Sequence, residues 1–243
     1  MTSITTTRRE RARAATVTEI KETALRLMRE SGTSTFRFAD IAREMEVTAP
    51  ALYRYFPSRD ELLTALVADS WDGLAAELTA AAGTADGQPP IDRLRSVSLA
   101  YRNWARAEPE RFWLLFGLPV PGYIAPAGGP TDEASERAFQ AFFAVTAAAQ
   151  GDADALGRLR PVPPTLAGEL AVEESGIDPQ LHQAMLHAWA VVHGIVALEL
   201  HGQFTCYLSP AAVDELFAGA VDAAAEMVGI AAPAPLPARA PAE

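Results

Sequence analysis

Cysteine is all but missing from this 243-residue chain. Cys206 stands alone, so neither an intrachain disulfide nor a thiolate cage for zinc can form, and a reducing compartment is expected. Long apolar runs are missing as well. No 18-residue apolar stretch is free of charges and helix breakers, so no membrane-spanning helix is expected. The opening residues, MTSITTTRRERARAAT, lack the apolar segment of a secretory leader, and the expected location is cytoplasmic. Runs of β-branched residues are scarce, while Ala and Leu dominate a composition that is 49% hydrophobic. That balance predicts helices and no confident strand. Catalytic signatures are lacking too: there is no glycine-rich phosphate loop, no nucleophile elbow and no paired carboxylate that stands out from ordinary helix charge. His182, His187, His193, His201, Glu199 and Cys206 show neither H-E-x-x-H nor C-x-x-C spacing. No enzyme activity, metal or cofactor is expected.

Positive charge is short overall, and the net charge of −11 argues at first sight against nucleic acid. The deficit is uneven. Residues 1–60 carry 11 Lys and Arg against 8 Asp and Glu, whereas the remainder carries 9 against 23. Contact depends on local field rather than on the total. A basic amino-terminal part can therefore face a polyanion while the acidic rest stays clear of it.

Helix signals follow one another along the chain. Ile20, Ala24, Leu27 and Met28 recur on one face, with Thr16 or Thr18 as a start and Gly32 as a stop. Residues 1–15 before them read as a basic flexible arm. Phe38, Ile41, Ala42 and Met45 mark a shorter second helix. Three residues later Thr48 offers a cap and Pro50 lies in a first turn, where a missing N–H costs little, while Leu52 and Phe56 point inward. Ser58-Arg59-Asp60-Glu61 has capping-box spacing and opens a helix expected over 59–82. Further helices are expected over 91–107, 109–117, 132–150, 165–174, 178–204 and 209–228, with a linker at 83–90 and a loop at 117–130. The Ala- and Pro-rich end, 229–243, reads as disordered.

Two short helices joined by about three residues make a helix-turn-helix arrangement. The second helix of such a pair presents its amino-terminal turn to a duplex, so that first-turn side chains reach base edges and the amide dipole meets phosphate. Thr48, Ala49, Pro50 and Ala51 occupy that turn. The last three can read a groove only by close packing, for instance against thymine methyls. Tyr53 and Tyr55 carry hydroxyls suited to phosphate oxygens, Arg54 and Arg59 can neutralise phosphates, and Arg54 can instead reach a guanine. Arg37 completes the candidate set. The Arg8–Arg13 run is either a DNA-binding arm or a solvated tail.

The segment FADIAREMEVTAPALYRYFPSRDELL resembles the DNA-binding signature of TetR-family transcriptional regulators. The shared features are the Ile-Ala pair, a valine in the turn, Leu-Tyr-x-[His/Tyr]-Phe, and Ser-[Lys/Arg]-x-x-Leu opening the next helix. The resemblance spans residues 16–65 and departs at Glu46, where the family carries Gly. A turn position of this kind favours positive φ, which costs Glu about 1 kcal/mol relative to Gly. Glu46 is therefore either strained or the mark of an altered turn.

Farther on, LHAWAVVHGIVALELHGQF (186–204) sets Trp189 and His193 one turn apart, with Gly194 adjacent. It resembles the tryptophan–histidine–glycine C-terminal domain of one branch of TetR-like regulators, and LLFGLPVPGY (114–123) resembles a loop of that branch. The resemblance implies a half that binds a small effector among its helices and dimerises through its last two long helices. Val213, Leu216, Phe217, Ala220, Val221, Ala224, Met227 and Val228 form a broad apolar stripe, and Ala190, Gly194 and Ala197 allow close helix approach. Both features fit a four-helix interface between two copies or, alternatively, an intrachain core. Tyr101, Trp104, Trp113, Phe116, Phe139, Phe143, Trp189 and His193 are the candidates to line an effector pocket, although aromatics at helical spacing also build plain cores.

The expected fold is all-α, with a three-helix DNA-binding domain over 16–62 and a larger helical bundle over 63–228 for ligand binding and dimerisation. The expected function is a homodimeric transcriptional regulator: a repressor released from a palindromic operator in double-stranded DNA by a small, largely apolar effector, with no membrane partner. The alternative is a helical small-molecule-binding or adaptor protein with a degenerate helix-turn-helix.

Overall fold

Proline sets where most of the helices begin. The computed structural model describes residues 7–146, 157, 159–170 and 176–230, among which there are ten helices and no strand. They are α1 (Arg8–Ser31), α2 (Phe38–Glu44), α3 (Ala49–Leu52), α4 (Arg59–Thr84), α5 (Pro90–Ala107), α6 (Pro109–Phe116), α7 (Pro130–Thr146), α8 (Pro164–Leu170), α9 (Pro179–Leu200) and α10 (Pro210–Met227). The last six each open on a proline, whose fixed φ and missing N–H suit a first helical position. Side chains cap several starts: Ser58 Oγ accepts from Glu61 N at 3.1 Å, Asp178 from Gln180 N at 2.8 Å, and Ser209 from Ala212 N at 3.3 Å.

Some expected boundaries move. Helix α1 starts at Arg8 rather than near Thr16, because Thr7 and Glu10 form a reciprocal capping box, with bonds of 3.2 and 2.7 Å. Arg8 to Ala15 are therefore helical rather than a flexible arm, while residues 1–6 lie outside the described residues. Helix α9 stops at Leu200 instead of about Phe204, where Gly202 turns left-handed at φ 70°. Ile230, expected in the tail, is buried, and its amide donates to the Ala225 carbonyl at 2.9 Å. Residues 231–243 of the expected tail, and the ends of the expected helices over 132–150 and 165–174, lie outside the described residues.

The chain divides into two compact units, one made of residues through 76 with 104–138, the other of 77–103 with residues from 139 onward. The first holds a core of Ile20, Ala24, Leu25, Met28, Phe38, Ile41, Leu52, Phe56, Leu62, Leu63 and Leu66. Val120, from the loop after α6, joins that core, and Tyr123 Oη of the same loop lies 3.1 Å from Thr64 Oγ1. Arg29 on α1 grips Glu110 on α6 through both carboxylate oxygens, and the Glu110 side chain is only 3% exposed. Burial pushes this carboxyl up, but the Arg29 guanidinium, a backbone hydrogen bond and the nearby Arg111 charge together hold Glu110 below the usual carboxylate range.

In the second unit, α9 packs along α10. Arg102 on α5, nearly buried, donates to Glu199 at 2.7 and 2.9 Å and to Asp214 at 2.7 Å, while its guanidinium lies 4.8 Å from the Phe217 ring centroid. One side chain thus links α5, α9 and α10. Helix α9 is long and apolar enough, by length and composition, to cross a bilayer, but it spends that apolar surface in packing along α10.

Candidate nucleic-acid interface

The turn between α2 and α3 is closed by backbone bonds. Met45 N donates to Ile41 O (3.0 Å), Glu46 N to Arg43 O (3.2 Å) and Val47 N to Ala42 O (2.9 Å). This wrapping places Glu46 at φ 54°, the one positive value at a non-glycine among the described residues. Of the two expectations for Glu46, strain is the one realised.

Helix α3 is a single turn. Thr48 holds the extended conformation of a cap residue, but its side chain makes no capping bond, unlike the expectation. Leu52 and Phe56, 2% and 8% exposed, anchor the segment in the core. The helix ends after Leu52, and Tyr55 N and Phe56 N both return to the Leu52 carbonyl, at 2.9 and 3.0 Å. Tyr53 to Tyr55 therefore sit on a tight turn rather than on a continued helix.

Anchoring the apolar residues inward leaves the polar ones outward. Arg37, Thr48, Pro50, Tyr53 and Arg54 are exposed, while Ala49, Ala51, Tyr55 and Arg59 are half-buried. The Tyr53 ring leans on Phe38 at 4.8 Å between centroids, and its hydroxyl has no hydrogen-bond partner among the described residues. Tyr55 and Arg59 are engaged within the protein. The Arg13 guanidinium lies 5.1 Å from the Tyr55 ring centroid and donates to the Arg54 carbonyl at 3.4 Å. Arg59 donates through Nε to the Phe36 carbonyl at 3.4 Å and lies 5.6 Å from the Phe36 ring. Arg13, absent from the sequence-derived set, thus reaches the turn after α3; the Thr7-x-x-Glu10 spacing was the available signal that its segment is helical.

The candidate effector residues fall into two groups. Trp104, Trp113 and Phe116 belong to the first unit: Trp104 is buried beside Gly73, Trp113 stands edge-on to Phe112 at 4.8 Å, and Phe116 edge-on to Trp71 at 5.2 Å. Tyr101, Phe139, Phe143, Trp189 and His193 gather in the second, joined by Phe142. Trp189 lies 5.1 Å from Tyr101, 5.4 Å from Phe139, 5.1 Å from Phe142 and 5.4 Å from His193 between centroids, and Phe139 stacks on Phe143 at 5.8 Å. Tyr101 Oη is 2.7 Å from His193 Nδ1. Burial pushes the Tyr101 phenol up and holds His193 below its ordinary range, so the pair shares one hydrogen bond in uncharged form.

Comparison with known proteins accords with this geometry. Residues 20–66 match the profile described as bacterial regulatory proteins, tetR family, and residues 94–224 that of the Tetracyclin repressor-like C-terminal domain. The HTH-type transcriptional regulator Rv1816 of Mycobacterium tuberculosis is 33% identical over 201 residues, which is 81% of this chain and 86% of that protein. The crystal structure of SCO4313, described as regulatory, is 33% identical with a TM-score of 0.69, covering 90% of this chain and 98% of that one. A TetR family transcription regulator from Marinobacter aquaeolei VT8, 20% identical, shares the fold with a TM-score of 0.58, covering 88% and 97% of the two chains.

Proposed function

Because the chain belongs to the TetR family of bacterial regulatory proteins, and so is a DNA-binding transcriptional regulator, we propose that it works as a homodimeric repressor which a small, largely apolar effector releases from a palindromic operator. In this reading residues 16–62 form the DNA-binding head and residues 63–228 the effector and dimer part. The observation that carries it is the division of labour around α3. Leu52 and Phe56 fix the segment from within, while Thr48, Tyr53 and Arg54 keep exposed side chains whose polar ends have no partner among the described residues. The leading turn enters the major groove, Ala49, Pro50 and Ala51 pack against base edges, and Arg37, Tyr53 and Arg54 meet the backbone; Tyr55 and Arg59 reach it by giving up their internal contacts.

A symmetric operator needs two heads about 34 Å apart. Leu186 and Leu198 on α9, and Leu216 and Met227 on α10, are 39–46% exposed, and small residues such as Ala190 and Gly219 lie on the same two helices. These faces suit a four-helix interface with a second copy. The Trp189 cluster supplies apolar walls, and the neutral Tyr101–His193 pair a single polar handle, for the effector. Effector binding favours a head spacing that no longer fits successive grooves.

The test is titration of a fluorescent operator duplex, recovered by genomic footprinting, at several salt concentrations with and without candidate effectors. Equal operator binding by effector-free and effector-saturated protein excludes release by that ligand. Tyr53→Ala is expected to weaken binding by about 1.5 kcal/mol, roughly tenfold, with the dimer intact by sedimentation. Unchanged affinity removes Tyr53 from the contact surface.

A further inference from the structure

The first unit carries a groove of about 730 Å³, bordered by the end of α1, residues 33–37, α2 and Tyr53. Its charges follow from the geometry of α2. Phe38, Ile41 and Ala42 turn inward, so Arg37, Asp40 and Arg43, spaced three apart, line the opposite face. The three differ in their commitments. Arg37 is exposed and makes no ion pair among the described residues. The Arg43 side chain is 76% exposed, and its Nη2 is 2.9 Å from Asp40 Oδ1. Arg59, the remaining cation of the groove, is held by the Phe36 carbonyl and ring. Tyr53 borders the same groove with its hydroxyl available.

Asp40 suits the first turn of α2 whether or not Arg43 is beside it, and an exposed ion pair of this kind adds little to stability, so the Arg43 guanidinium can leave the carboxylate at small cost. We infer that Arg43 is a phosphate-contacting residue of the DNA interface, and that Asp40 is its internal competitor, occupying the guanidinium until a duplex replaces the carboxylate. The inference rests on the DNA-binding reading above and adds two residues to it. Arg43 in contact with phosphate releases a counterion; Arg43 held by Asp40 releases less. Asp40 thereby weakens binding to every duplex to a similar extent, without reading sequence.

The experiment measures affinity against salt for the full-length protein, on its footprinted operator and on a random-sequence duplex of equal length. Arg43→Gln should lower affinity for both and shrink the log–log salt slope by about one, with the melting temperature unchanged. Arg43→Lys, which keeps the charge, should restore the slope. Asp40→Asn should tighten both duplexes about two- to fivefold, and that gain should vanish in the Arg43→Gln background. A salt slope unaltered by Arg43→Gln overturns the phosphate contact. A gain from Asp40→Asn that persists without Arg43 overturns the competitor role. Wild-type protein that binds no duplex refutes the DNA-binding reading itself, a different failure from either of these.

Discussion

Glu46 holds a left-handed backbone that a glycine would adopt without steric cost, and its exposed side chain has no partner among the described residues. Glu46→Gly should therefore stabilise the head by about 0.5–1 kcal/mol in urea denaturation, with the relief of strain partly offset by the freer unfolded chain. No gain would mean that the turn relaxes to accommodate Glu. Arg102 presents the reverse case. Its guanidinium is 5% exposed and serves Glu199 and Asp214 together, so Arg102→Ala removes a two-point contact from a carboxylate that is itself only 17% exposed. The expected loss is about 3 kcal/mol, at the lower end for broken buried pairs because Asp214 reaches solvent. A loss well under 1 kcal/mol would show that water reaches the vacated site.

The elements that sequence reveals are those with a local cause. Pro179 after Asp178, Pro210 after Ser209 and the Ser58–Glu61 pair each state a helix start, and each is realised. The recognition turn was legible for the same reason: Leu52 and Phe56 at fixed spacing from Ile41 and Phe38 define one buried face. The early start of α1 was not legible from periodicity, because Arg8 to Ala15 are all exposed and impose no apolar repeat. The internal attachment of Arg59 and Tyr55 was equally hidden, since their partners Phe36 and Arg13 lie 23 and 42 positions away. The loop after α6 is the clearest instance. Its prolines announce irregular backbone, but nothing local says that Val120 enters the core built by α1 to α4. Val120→Ala should lower the stability of the first unit by about 1–2 kcal/mol, read as an earlier urea midpoint. A midpoint unmoved by that change would show the loop to be merely draped over the head.

At the scale of the whole molecule, acid should weaken the fold in two stages. His193 is held below its ordinary 6.5 by burial, so between that value and its folded one the unfolded chain binds more protons, and stability falls as pH falls through this window. Glu110 is held below 4.5 by Arg29 in spite of its burial, so its contribution is complete above 4.5 and is lost only further down. Melting temperature should thus begin to decline as pH falls below about 6.5 in the wild type and stay level in His193→Phe, until both decline below 4.5. A wild type level down to pH 4.5 would show that the partial burial of His193 does not oppose its protonation.

The passage of Val120 into the head also bears on how relatives of this protein can be recombined. A splice made just after residue 66, where the amino-terminal family match ends, would pair this head with a foreign loop and leave unfilled the place that Val120 takes in its core. Grafts that carry residues 104–138 along with the head keep the plug with its socket. Those shorter exchanges should yield regulators with a destabilised head.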